Sequence, residues 1–285
     1  MIFGKIIDDQ MKGMLLSRKG KVTTYLPIDI GHEYFDFLGI TVKAEKGDEP
    51  TEEEKGDEVL KENDASETSS TWTRKTLTVE EITAQATLFF VAGYDTTSNT
   101  LCFLVYHLVL CPEICDNLLQ EIDDKLNGQA PNYDNVAKLS YMEMCIHETM
   151  RLFPAASRLD RVANNDVTIG NIRIPKGMTI NIPVGAIQMD PEYWPEPEKF
   201  DPERFTPEAK AYRDPFVFMP FGAGPRNCVG MRLALLELKI AIVRILQNYR
   251  PVTSPKTKRH ITFIISDSDQ RFIPLGLYLK FEKRT

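Results

Sequence analysis

The sequence predicts a mainly α fold with a minor β component, and three stretches carry that prediction. Residues 78–111 form a long apolar run that opens on "TVEE" and stops at Pro112. Residues 167–184, "VTIGNIRIPKGMTINIPV", alternate apolar and polar side chains around Gly170-Asn171 and Pro175-Lys176-Gly177, the pattern of short strands joined by turns. Between Asp190 and Pro207 five prolines exclude regular helix or strand, and Trp194, Phe200 and Phe205 read as anchors of an ordered loop.

In chain order, residues 1–44 read as a helix and loop segment ahead of the core. Residues 45–77 read as an acidic mobile loop: Glu45 to Glu67 carry eleven Asp and Glu against three Lys, with almost no apolar side chains to repay ordering. The formal net charge of −7 is therefore local and says nothing by itself about a nucleic-acid partner; none is expected. Residues 78–285 read as the functional portion. Thr78 and Glu81 form a capping box, so the first long helix starts there and runs to Cys111. At 1.5 Å per residue it is about 50 Å long. Apolar on nearly every side, it belongs at the centre of the fold. Shorter helices follow at Glu113–Leu126 and Tyr141–Leu152, ahead of Pro154. A last helix ends near Asn248, and "FIPLGLYLKF" reads as a terminal strand.

Several classes of site find no support. Five cysteines without a CxxC pair make no disulfide framework and fit a reducing compartment. Four scattered histidines offer no zinc spacing. The opening "MIFGKIIDDQMKG" is too short in apolar residues for a signal peptide, and no run is long enough to span a bilayer.

One stretch stands apart: "FMPFGAGPRNCVGMRLALLELKIAIVRIL", Phe218 to Leu246. A glycine-rich turn with a small packed cysteine would account for it blandly. A cysteine just ahead of a helix, however, faces unpaired amides and the positive end of the helix dipole, an electropositive setting for its sulfur. Gly222, Gly224 and Gly230 let backbone approach a large flat object, and Arg226 can pair with an anion. A phosphate loop would need a Lys after its last Gly, and a dinucleotide fingerprint a Gly at position 227, which is Asn. A thiolate ligand to haem iron remains.

The ten residues "FGAGPRNCVG", Phe221 through Gly230, resemble the haem-binding loop of the cytochrome P-450 family of haem-thiolate monooxygenases. Three further signatures follow the family's order. "AGYDTT", Ala92 to Thr97, resembles the segment over which O2 sits, so Asp95 and Thr96 resemble its proton-delivery pair. "ETMR" sets Glu148 and Arg151 three apart on one helical face; one such match is expected by chance in a chain of about this length. "FDPERF" supplies Arg204, similar in place to the arginine that completes a buried Glu-Arg-Arg cluster with a structural role. In "RLDRV", Arg161 resembles a propionate-binding arginine.

The resemblance implies the C-terminal part of that fold: a long central buried helix, short strands, a proline-rich meander and the Cys-ligand loop. It implies haem b with Cys228 as axial ligand, and Phe221, Gly222, Arg226, Arg161 and Ala92 beside it. It implies insertion of one oxygen atom of O2 into an apolar substrate, with electrons from an NADPH-dependent flavoprotein reductase and from cytochrome b5. Location follows as the cytosolic face of the endoplasmic reticulum membrane, or the cytoplasm for a chain this short. The overlay covers only the family's C-terminal half or a little more, without its anchor, first strands or early helices. The alternative expectation is therefore a truncated, non-catalytic fragment that binds haem weakly or not at all. A haem-thiolate isomerase is disfavoured by the Asp95-Thr96 pair, because rearranging a peroxide needs no proton delivery to O2.

Overall fold

The computed structural model describes residues 77–261, 263–265, 272–274 and 276–284. The expected segment 1–44 and, apart from Leu77, the acidic loop lie outside the described residues. The chain divides into two compact units, Leu26–Gly93 and the remainder. Helix α1, Val79–Leu110, begins in the first unit and belongs to the second from Tyr94 onward.

Helix α1 starts where its capping box places it. The Thr78 amide donates to Glu81 Oε2 at 2.8 Å, and the Glu81 amide donates to Thr78 Oγ1 at 3.2 Å. Within the second unit, burial on α1 sets in toward its end, where Leu101, Phe103, Leu104, Val105, Leu108 and Val109 are buried, while Tyr94, Asp95 and Thr96 are half-buried. Pro112 ends α1 and opens α2, Pro112–Leu126, its missing N–H falling where a helix has an unpaired donor anyway. On α2, Cys115, Leu118, Leu119, Ile122 and Leu126 recur at helical spacing and are buried. Asn127 closes it in the left-handed region at φ 46. A single turn not foreseen from sequence, α3 at Tyr133–Val136, is closed by an asparagine capping box between Asn132 and Asn135.

Helix α4, Ser140–Leu152, has no cap of its own at Leu139. Glu121 of α2 serves instead, accepting the Tyr141 and Met142 amides at 2.9 Å each. The buried faces of α2, α4 and helix α7, Met231–Asn248, meet the end of α1 in one core; Leu118, Ile146, Leu238 and Ile242 are fully buried there. Burying each such side chain contributes about 1.5–3 kcal/mol.

Among the described residues the β component is four separate antiparallel pairs. β2, Val167–Ile169, and β3, Ile172–Ile174, make the expected hairpin, with Gly170 at φ 61 in its turn. β4, Thr179–Ile182, does not continue that hairpin. It pairs with β1, Leu159–Val162, a strand sequence reading took only as an arginine motif. The expected terminal strand is two: β7, Phe272–Pro274, pairs with β6, Phe263–Ile265, while β8, Leu279–Lys283, pairs with β5, Tyr249–Thr253. Gly276 at φ 77 lies between them. After the four-residue helix α5, Val184–Ile187, comes the proline-rich stretch, which is irregular but ends in a 3-10 turn at Pro202–Phe205 and a short α6 at Pro207–Ala211. Both place proline in the first turn, where its fixed φ suits the start of a helix.

Candidate functional site

Two constellations gather the residues singled out by sequence. The first is a buried ion cluster. Glu148 and Arg151 lie one turn apart on α4, both fully buried, and meet as a bidentate pair: Arg151 Nε to Glu148 Oε2 at 2.7 Å and Nη2 to Oε1 at 2.8 Å. Arg151 also donates to the carbonyls of Gln188 (2.9 Å) and Pro197 (2.7 Å), so one guanidinium fastens the meander to α4. The Asp201 amide donates to Glu148 Oε1 at 2.9 Å. Burial pushes the Glu148 carboxyl above its ordinary range, while Arg151, that amide and Arg204 pull it back.

Arg204 Nε lies 3.5 Å from Glu148 Oε1 without hydrogen-bond alignment, a charge contact only, and its Nη2 donates to the Glu196 carbonyl at 3.0 Å. Arg213, which carries no sequence signal, joins the group: it donates to the Arg204 carbonyl and lies 4.1 Å over the Trp194 ring. Burial lowers its guanidinium pKa, with Glu148 acting the other way. Trp194 is fully buried against Phe205 and Phe218, and among the described residues its Nε1 has no hydrogen-bond partner.

The second constellation is the Cys228 loop. Gly222 and Gly224 both take φ 75, a left-handed conformation that a side chain would strain. They turn the chain back so that the Cys228 amide donates to the Phe221 carbonyl at 2.8 Å, and the Gly222 amide to the Met219 carbonyl at 3.0 Å. A Cβ at Gly230 would sit 3.9 Å from Cys228 Sγ. Helix α7 starts three residues after the cysteine. Cys228 is exposed; Cys115 and Cys145 are buried, and Cys102 and Cys111 are half-buried. Burial raises all four of those thiols, Cys102 to about 11. Of the five cysteines, Cys228 is the exposed one.

The remaining candidates are placed as follows. Phe221 is half-buried and packs against the main core. Arg226 is exposed in a 3-10 turn, Gly224–Arg226. Arg161 lies on β1, paired in register with Ile180 of β4, and its Nη1 donates to the Asp160 carbonyl at 2.9 Å. Asp95 and Thr96 share α1 with Thr97, whose buried Oγ1 has no hydrogen-bond partner among the described residues. Ala92 is exposed and belongs to the other compact unit. The structure therefore joins Glu148, Arg151 and Arg204 directly, and sets Phe221, Gly222, Arg226 and Cys228 on one loop.

Chemically, an exposed sulfur held at a fixed point ahead of a helix, with the half-buried Arg161 and the exposed Arg226 as cations, suits a thiolate ligand for an iron porphyrin carrying anionic propionates.

Comparison with known proteins agrees with that chemistry. The family model described as Cytochrome P450 matches residues 29–268. Cytochrome P450 3A31 of Mesocricetus auratus is 49% identical over 176 residues, covering 61% of this chain and 35% of that relative. Lithocholate 6-beta-hydroxylase of the same animal is 46% identical over 191 residues, covering 67% of this chain and 38% of the relative. Cytochrome P450 3A19 of Capra hircus aegagrus is 45% identical over 179 residues, with 62% of this chain and 82% of the relative covered. The aligned part of the chain amounts to a little over a third of the first two relatives' length.

Proposed function

The chain belongs to the cytochrome P450 family, and from that premise we propose that residues 78–285 are the iron-binding portion of a haem-thiolate monooxygenase. The observation that carries this reading is Cys228: exposed, fixed by the hydrogen bond its amide donates to the Phe221 carbonyl, and set just ahead of α7. Haem, when bound, supplies the activation of dioxygen.

The chain's own residues then divide the remaining work. Cys228 Sγ would hold the iron as thiolate, and the left-handed turns at Gly222 and Gly224 shape the loop that presents it. Arg161 and Arg226 are the cations that would pair with its carboxylates. Thr96 Oγ1 and the Asp95 carboxylate are the groups proposed to hold and pass protons, since a hydroxyl and an acid within an apolar helix are costly unless used. Glu148, Arg151 and Arg204 hold the loop's foundation and touch no reacting atom.

The proposed reaction inserts one oxygen atom of O2 into an apolar organic substrate. One relative is named for hydroxylating lithocholate, which suits that class. Electrons come, in this proposal, from an NADPH-dependent flavoprotein reductase, with cytochrome b5 as a second donor, at the cytosolic face of the endoplasmic reticulum. Among the described residues no single helix is long and apolar enough to cross a membrane. The test is turnover of the haem-loaded chain with reductase, NADPH and isotopically labelled dioxygen. Label in the product supports the reading; product carrying oxygen from water, or NADPH use without product, contradicts it.

A further inference from the structure

We propose, resting on the reading of Cys228 as the iron ligand, that Gln188 is a positioning residue for that cysteine. Its side-chain amide ties the end of the Glu148–Arg151 helix to the segment that leads into the loop. Gln188 directly follows α5 and is fully buried, so its two N–H donors and its carbonyl must find partners inside the protein. All of them do. Nε2 donates to the carbonyls of Met150 at 3.0 Å and Arg151 at 3.1 Å, and Oε1 accepts the Met219 amide at 3.1 Å.

The two carbonyls are those a helix leaves over. Helix α4 ends at Leu152, and its last carbonyls have no partner within the helix. The Phe153 amide covers Thr149 at 2.9 Å, and Gln188 covers the next two. From the other side of the amide a short chain of bonds leads to the sulfur. Met219 is held by Gln188, its carbonyl accepts the Gly222 amide, and the neighbouring Phe221 carbonyl accepts the Cys228 amide. Arg151 Nη1 meanwhile donates to the Gln188 main-chain carbonyl at 2.9 Å. One residue thus joins the ion cluster to the cysteine loop through both backbone and side chain. A carboxylate cannot donate to two carbonyls, and an apolar side chain would leave two buried carbonyls and the half-buried Met219 amide without this partner. A ligand displaced by even a fraction of an ångström is a poorer ligand, which is why the tie matters to function.

The experiment compares the full chain with Gln188→Met and with Asn135→Ala, which breaks a capping network on α3 and serves as the stability control. Residue-resolved hydrogen exchange, without haem, reads the amides of Met219, Gly222 and Cys228 against that of Leu238 in α7. Gln188→Met should speed the three loop amides by about tenfold more than Leu238; Asn135→Ala should leave that ratio unchanged. Equal acceleration everywhere overturns the proposal. Gln188→Asn, which withdraws the amide by one methylene, is the second variant should the first not fold, and an unchanged ratio in it overturns the proposal as well. With haem, the reduced CO spectrum of Gln188→Met should shift part of its intensity away from the thiolate-type band. A wild-type thiolate band left unaltered by the substitution overturns the proposal alone. A wild-type chain with no such band overturns the ligand reading beneath it.

Discussion

The ion cluster around Glu148 and the loop around Cys228 are a few residues apart in space along the Gln188 tie, yet they are built on opposite principles. In the cluster every charge is spent inward: Glu148 meets Arg151, Arg204 and the Asp201 amide, and Arg151 meets two meander carbonyls besides. In the loop the backbone is satisfied inward, through Phe221 and Met219, while Cys228, Arg226 and Val229 face outward. Groups that hold a fold consume one another; groups that hold a ligand keep their valence.

Removing a member of the closed side should do the greatest damage. Glu148→Ala leaves Arg151 buried without its carboxylate, a loss of about 3–5 kcal/mol. The urea midpoint, or soluble yield where the variant does not fold, reads it. A variant as stable as wild type would erase the distinction between the two regions.

Acid should also strike the closed side. His107 is buried, stacked on Phe200 at 4.4 Å, with Nδ1 2.9 Å from the Phe103 carbonyl. Burial, aided by Arg151, lowers its pKa to about 4. Above pH 6.5 the imidazole is neutral whether the chain is folded or not, and adds nothing to the difference. Below 6.5 the unfolded chain takes a proton that the folded one refuses until about pH 4. Stability therefore falls as pH drops through that window, by roughly 2–3 kcal/mol from this residue. His147, also lowered to about 4 by burial and by Lys210, acts in the same sense. Unfolding curves at pH 7.5 and pH 5 measure the fall, and His107→Phe should reduce it. An equal fall in that variant would remove His107 from the account.

The smallest stability effect belongs to the open side. Cys228→Ser exchanges an exposed sulfur for oxygen and should move the urea midpoint by no more than about 0.5 kcal/mol. A loss comparable with that of Glu148→Ala would make Cys228 a packing residue.

How much of this was legible in the sequence differs between the two regions for the same reason. The Cys228 loop is local: its glycines, proline and cysteine lie within ten consecutive residues, so its turns and its place before a helix can be read directly. The cluster is assembled from afar. Glu148 and Arg151 share one helical turn and could be paired by spacing, but Arg204 was placed only through a resemblance. Arg213 and Gln188 gave no signal, because their partners are main-chain carbonyls, which every residue has. Glu121 was missed likewise, since it caps a helix that is not its own. Strand pairing failed where it depended on distant partners: β1 with β4 skips a hairpin, and nothing in "RLDRV" announces it. Burial of α1 was expected on every side from composition, whereas in the second unit it deepens only toward Leu110, where α2 and α4 pack.

The central claim is that Cys228 is the outward-facing ligand on an inwardly closed scaffold. The reduced, CO-bound difference spectrum of the haem-loaded chain, beside that of Cys228→Ser at equal folded protein, tests it most directly. The account predicts a thiolate-type Soret band in the wild-type chain and its loss in the variant. The same band persisting in Cys228→Ser would contradict it.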